Sequence, residues 1–196
     1  MAARKRFRKY LAIGAITAVC AVLFLMLGYR MGSNPEIGSI YPRAYIHCII
    51  IPEEVHVGQS GEIKVFILDA RDLYGISLEV FHDPRLISID GISWGGFMES
   101  GPTRPIIPVN TVGSQDGRAV AACLLTGDVE GISGDGHLLT IDFTAKDPGV
   151  ISMKKGTLDD GQPLGSCLFN FTLGTSDLKP QPYTFKAFKM EIIPRL

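Results

Sequence analysis

The sequence predicts an all-β sandwich behind a single N-terminal membrane helix, and three observations predict it. Apolar or alternating runs of strand length recur from residue 45 onward, separated by turns such as Val57-Gly58-Gln59-Ser60-Gly61 and Asp147-Pro148-Gly149. The chain contains 22 glycines and 12 prolines, a composition that opposes long helices beyond the first 30 residues. At the start, an uncharged run from Tyr10 to Tyr29 follows a basic cluster.

That run is rich in Leu, Ile, Val, Ala and Phe. About 20 residues of helix, rising ~1.5 Å each, cross a hydrocarbon core ~30 Å thick. Arg4, Lys5, Arg6, Arg8 and Lys9 precede it, so the positive-inside rule places residues 1–9 in the cytoplasm and the C-terminal domain outside the cell membrane. The run ends Leu27-Gly28-Tyr29-Arg30-Met31-Gly32-Ser33 without an Ala-x-Ala cleavage site. Residues 10–29 therefore read as an uncleaved signal anchor in the lipid bilayer, and the Gly-, Ser- and Pro-bearing residues 30–44 as a tether.

Six of the 19 lysines and arginines lie in residues 1–30, and none of the 20 acidic residues does, so the exported part balances at −7. An acidic domain argues against nucleic acid as a partner, because phosphate binding needs a basic face. Outside the anchor lie Cys48, Cys123 and Cys167, an odd number without C-x-x-C spacing. They read either as one bridge plus a free thiol or as three buried thiols.

Strands are expected near 45–51, 61–69, 74–82, 86–93, 106–112, 117–125, 136–146, 149–156, 167–173 and 183–193. Side chains alternate across a strand. Ile76, Leu78, Val80 and His82 should therefore face the core, with Gly75, Ser77, Glu79 and Phe81 on the other side. Along 136–143, Leu138, Thr140 and Asp142 oppose His137, Leu139, Ile141 and Phe143. Asp83-Pro84 suits a tight turn, since proline fixes φ and aspartate caps the backbone. Gly134 and Gly136 read as sites of positive φ before a long strand.

Taken in order, these pieces resemble a cohesin domain. They are the turn Val55-His56-Val57-Gly58-Gln59-Ser60-Gly61, the strand closing on Asp83-Pro84 with Leu86-Ile87-Ser88-Ile89 behind it, and Asn110 before the hairpin at Ser114-Gln115-Asp116-Gly117. Leu125-Thr126-Gly127, Gly131–Gly136, Leu138–Lys146 and Leu158-Asp159-Asp160-Gly161 complete the set. The resemblance spans about 45–165, with 166–196 as C-terminal strands extending the sandwich. It implies a jelly-roll β-sandwich of about nine strands, no catalysis, and a dockerin-like extracellular protein as partner. Calcium would then belong to the partner rather than to this chain.

In that family the partner lies on one sheet, which the resemblance assigns here to 74–82, 106–112, 117–125 and 136–146. The partner-binding residues it implies are Gly75, Ser77, Glu79, Asn110, Leu125 and Thr126. Gly75 and Ser77 stand where the best-known cohesins carry Asn and Asp.

Other chemistry is weaker. Gly91-Ile92-Ser93-Trp94-Gly95 matches G-x-S-x-G, but residues 96–102 cannot supply the long helix of a nucleophile elbow. His47, His56, His82 and His137 lack metal-ligand spacing, and Glu53-Glu54 and Asp159-Asp160 read as solvated carboxylates. The Asp-bearing turns at 128–135 and 159–160 offer oxygen ligands for calcium without EF-hand spacing. Two rival readings are a carbohydrate-binding module, stacking polysaccharide on Trp94, Phe97 and Phe81, and a structural subunit of a surface assembly.

Overall fold

The computed structural model describes residues 43–113, 117–157 and 164–195. The expected anchor and most of the expected tether lie outside these residues, as do residues 114–116 and 158–163, which hold most of two expected turns. Among the described residues no helix is long and apolar enough to cross a membrane.

Among the described residues, eleven strands and one helical turn alternate with short connections: β1 Ala44–Ile51, β2 Val55–His56, β3 Ser60–His82, β4 Ile87–Trp94, α1 Gly96–Glu99, β5 Ile106–Gly113, β6 Arg118–Leu124, β7 Ile132–Ala145, β8 Gly149–Lys155, β9 Ser166–Thr175, β10 Tyr183–Phe185 and β11 Phe188–Ile193. The expected strands at 61–69 and 74–82 are one continuous strand, and the expected 183–193 is two. The merger and the split cancel, and the short β2 brings the ten expected runs to eleven strands among the described residues, against the nine or so that the resemblance implies.

β3 organises the sandwich because each half belongs to a different layer. Its first half pairs with β1 and β7, giving a layer ordered β10-β1-β3-β7-β4. Its second half pairs with β6 and β9, giving β5-β6-β3-β9-β8-β11-β2. Between the halves, Asp69 and Asp72 take left-handed φ of 54° and 52°, and the ladder shifts register on both sides of Ala70. Polar side chains hold that bend. Asp135 Oδ1 accepts the Asp69 N–H at 2.7 Å, and Ser133 Oγ accepts the Asp72 N–H at 2.9 Å. The Asp72 carboxylate accepts Gly131 N–H at 2.6 Å and the Ser176 hydroxyl at 2.7 Å.

The inward rows of both layers form one apolar core. Ile76, Leu78 and Val80 from β3 meet Ala119, Ala121 and Cys123 from β6 and Phe169, Phe171 and Leu173 from β9, all buried with Ile63, Val65, Ile141 and Phe143 of the other layer. His82 continues the inward row and is 1% exposed. The expected alternation along 136–143 fails at one point. A register shift skips Leu138, so Phe66 pairs His137 while Val65 pairs Leu139. His137 thereby joins Thr140 on the outer face, with its Nε2 3.0 Å from Thr140 Oγ1. Gly134 has φ 119°, whereas at Gly136 the requirement is space: a Cβ there would lie 2.6 Å from Phe97 Cδ2.

Candidate functional site: the outer face of β5, β6, β3 and β9

The residues between the core positions of the second layer form its outer surface in registered rows. Thr172, Ser77, Ala122 and Val109 make one row across β9, β3, β6 and β5. Asn170, Glu79, Val120 and Thr111 make the next, and Gly174, Gly75, Leu124 and Ile106 lie on the opposite side. The centre of the face is thus small and uncharged. One ion pair interrupts it: Arg118 Nε donates to Glu79 Oε1 at 2.7 Å, and the guanidinium carbon stands 5.8 Å from the Phe81 ring centroid. Apolar exposure is concentrated at one corner, where Ile106 and Ile107 are 42% and 51% exposed.

The expected site residues separate on this frame. Ser77 and Glu79 are half-buried on the outer face, and Gly75, in the same outward phase of β3, is covered by its neighbours. Leu125 is fully buried and offers no surface to a partner. Asn110 pairs Ala121 in the opposite phase, and its Nδ2 donates to Ile92 O of the other layer at 2.8 Å. It acts as a strut closing the sandwich between β4 and β5. Thr126 is exposed beyond the end of β6, and its carbonyl accepts the Thr103 hydroxyl at 3.2 Å.

The expected set of strands also needs correction, because 136–146 forms β7 of the other layer. The fourth strand of this face is β9, which contributes Asn170 and Thr172. The alternation of Asn170 and Thr172 with Phe169 and Phe171 carried that signal in the sequence, but the resemblance stopped short of it.

Elsewhere, Ser93 of the G-x-S-x-G stretch lies within β4, paired with Thr140, and α1 after it is a single turn. Phe81 and Phe97 are 4% and 6% exposed and Trp94 packs partly against the core, so these rings form no exposed line. Cys48, Cys123 and Cys167 are free thiols, and burial pushes Cys48 and Cys123 up to about 12. Among the described residues no group of three His, Cys, Asp or Glu side chains gathers to hold a metal. Asp135, expected in an Asp-bearing turn, lies in β7, where its carboxylate accepts the Asp69 N–H of β3. On the outer face of the first layer, burial, then Glu62 and Asp90, raise the Asp142 carboxyl.

No family model matches the sequence, and no curated protein does. The fold, in contrast, is that of cohesin modules. A type I cohesin–dockerin complex from Clostridium thermocellum superposes with a TM-score of 0.57 at 13% identity, over 83% of this chain and 100% of that one. A type II cohesin from an adaptor scaffoldin of Acetivibrio cellulolyticus gives 0.56 at 14%, over 80% and 94%. A non-cellulosomal cohesin of the archaeon Archaeoglobus fulgidus gives 0.52 at 12%, over 78% and 92%.

Proposed function

We propose that this chain is a non-catalytic recognition module, held in the cell membrane by residues 10–29 with its C-terminal domain outside. It captures a dockerin-like extracytoplasmic protein on the outer face of β5, β6, β3 and β9 and tethers it to the surface. The observation that carries the reading is that face itself, a broad sheet surface of small and neutral side chains with one ion pair, Glu79–Arg118. A flat surface of short side chains lets a helical partner approach the backbone closely. Burying Leu124, Val120, Val109 and Ile106 supplies affinity, and the charged pair and Asn170 supply orientation. The solved likenesses include a cohesin bound to a dockerin, which supports a protein as the occupant. Ser77 in place of an acidic or amide side chain points to a partner whose contacting surface is itself small and uncharged. Calcium in this reading belongs to the partner.

The test is capture from the source organism's envelope and extracellular proteins by the full chain in mild detergent, with and without calcium. A calcium-dependent prey with paired EF-like loops, lost in Ser77→Arg and kept in Lys64→Ala on the other layer, is expected. Prey that ignores both calcium and Ser77→Arg would sink the proposal.

A further inference from the structure

The chain has three asparagines. Asn34 precedes Pro35 and lies outside the described residues. Asn110 is engaged, its Nδ2 donating to Ile92 O at 2.8 Å. Asn170 opens Asn170-Phe171-Thr172, the only Asn-x-Ser or Asn-x-Thr triplet in the sequence and so its one acceptor pattern for an N-linked glycan. Such a triplet also arises by chance, so its place in the fold has to carry the case.

Alternation along β9 puts Asn170 and Thr172 on the outer face and Phe171 in the core, where it is 3% exposed and its N–H donates to the buried Tyr183 hydroxyl at 3.0 Å. The carboxamide and the hydroxyl that glycosyl transfer uses are thus presented side by side. Both side chains are half-buried, and among the described residues neither is engaged in a hydrogen bond. The flank beside them is open. β8 pairs with β9 from Ser166 to Phe169 and stops one residue short of Asn170. On the β3 side stand Glu79, held by Arg118, and the short Ser77 diagonal to Asn170. A substituent on Asn170 therefore projects from the outer surface, away from Phe169 and Phe171, and the fold accommodates it.

We propose that Asn170 is an N-glycosylation site whose occupancy decides which copies can take a partner on the face of β5, β6, β3 and β9. The inference rests on the export and docking readings given above. The donor is an oligosaccharide joined through phosphate to a membrane polyprenol, and a membrane-bound transferase carries out the step. The Asn170 carboxamide nitrogen bonds to the anomeric carbon of the sugar and gives up one proton. The bond from that carbon to the phosphate oxygen breaks, and the lipid phosphate leaves with the electron pair and takes up a proton. Order of export makes occupancy incomplete. With residues 1–9 held inside, β3 emerges before β9, so β9 can pair as soon as it appears. Transfer needs the triplet free to bend, whereas pairing opposite Glu79, Leu78 and Ser77 holds it extended. Folding and modification therefore compete, and two populations result. Neighbouring strands lie only ~4.8 Å apart, so the first sugar already stands beside Glu79 and Ser77. A bulky hydrated substituent at that position keeps a flat partner off the face.

The test is peptide mapping by mass spectrometry of the native full chain, purified in mild detergent from membranes of the source organism. The peptide bearing Asn170 should divide into a bare form and a form heavier by whole sugar residues. Among variants expressed in the same organism, Asn170→Gln and Thr172→Val should lose the heavier form. Thr172→Ser keeps the acceptor pattern and should retain it, a contrast that a purely structural role for Thr172 would not produce. In the capture experiment, copies recovered with prey should be bare, with the heavier copies left unbound. A uniformly bare Asn170 peptide in the native chain, or a heavier form that survives Thr172→Val, would overturn the inference. Heavier copies recovered with prey as often as bare ones would overturn the exclusion of the partner. Capture of no prey at all counts against the docking reading alone, since the mass of the Asn170 peptide still decides the modification. Protease added to closed cells tells a domain that is not exported from one that is exported and unmodified.

Discussion

His82 enters the core with neither ring nitrogen bonded, 1% exposed, in register with the buried Cys167. Burial first, and then the positive charge of Lys146, push its pKa down to about 4, against a smaller opposing pull from Asp83. The folded state thus binds its proton less readily than the unfolded chain, whose imidazole titrates near 6.5. This stabilising preference is fully present above about pH 6.5 and is lost as pH falls toward 4, amounting to about 3 kcal/mol across the window. Asp83 acts in a lower range. Its carboxylate is held well below the usual range chiefly by Arg85, so that stability is present above pH ~4 and is lost only in stronger acid. His82→Met should therefore flatten the decline in urea midpoint between pH 6.5 and 4 while leaving the loss below pH 4 intact. Parallel declines in variant and parent would show that some other group governs acid sensitivity.

Among the elements, β3 depends most on side-chain support, because one strand serves both layers only if its bend is fixed. Asp72 does much of this, accepting bonds from Gly131 on the approach to β7 and from Ser176 after β9. Asp72→Ala removes both and places alanine at φ 52°, which it tolerates poorly. Chemical denaturation should show a loss of about 2 kcal/mol, with Asp72→Asn retaining more than half of the difference. The sequence showed the inward row of β3 through its period of two, and Ile76, Leu78, Val80 and His82 all face the core. It did not show that 61–69 and 74–82 are one strand. Asp69 and Asp72 read as loop residues, and only tertiary partners such as Asp135 make an extended path through them favourable. The resemblance placed 136–146 on the wrong layer, and alternation could not correct it, since alternation reports facing but not which sheet a strand joins. Ser77 and Glu79 were legible on the outer face because they alternate with buried residues. Leu125 and Asn110 were not, since one lies just past β6 with its side chain in the core and the other reaches across to Ile92.

At the scale of the whole molecule, the order of pairing makes the last thirty or so residues indispensable. β9 lies between β3 and β8, an interior position, and links the β5-β6-β3 half of its layer to β8, β11 and β2. Its Phe169 and Phe171 stack in the core with Phe185, and the Phe171 N–H donates to the buried Tyr183 hydroxyl at 3.0 Å. A chain ending at residue 165 would lose these rings together with Cys167, Leu173, Met190 and Ile192, all buried. At ~1.5–3 kcal/mol for each large apolar side chain removed from the core, the loss is about 10 kcal/mol or more. That equals the entire stability of a typical domain, ~5–15 kcal/mol. The truncated chain should therefore lack the near-ultraviolet signal of Trp94 and give a collapsed amide spectrum, rather than fold as a smaller sandwich. A cooperative thermal transition from residues 1–165 would mean that the layer closes without β9, and that the face bearing Ser77 and Glu79 is assembled independently of the strands that follow it.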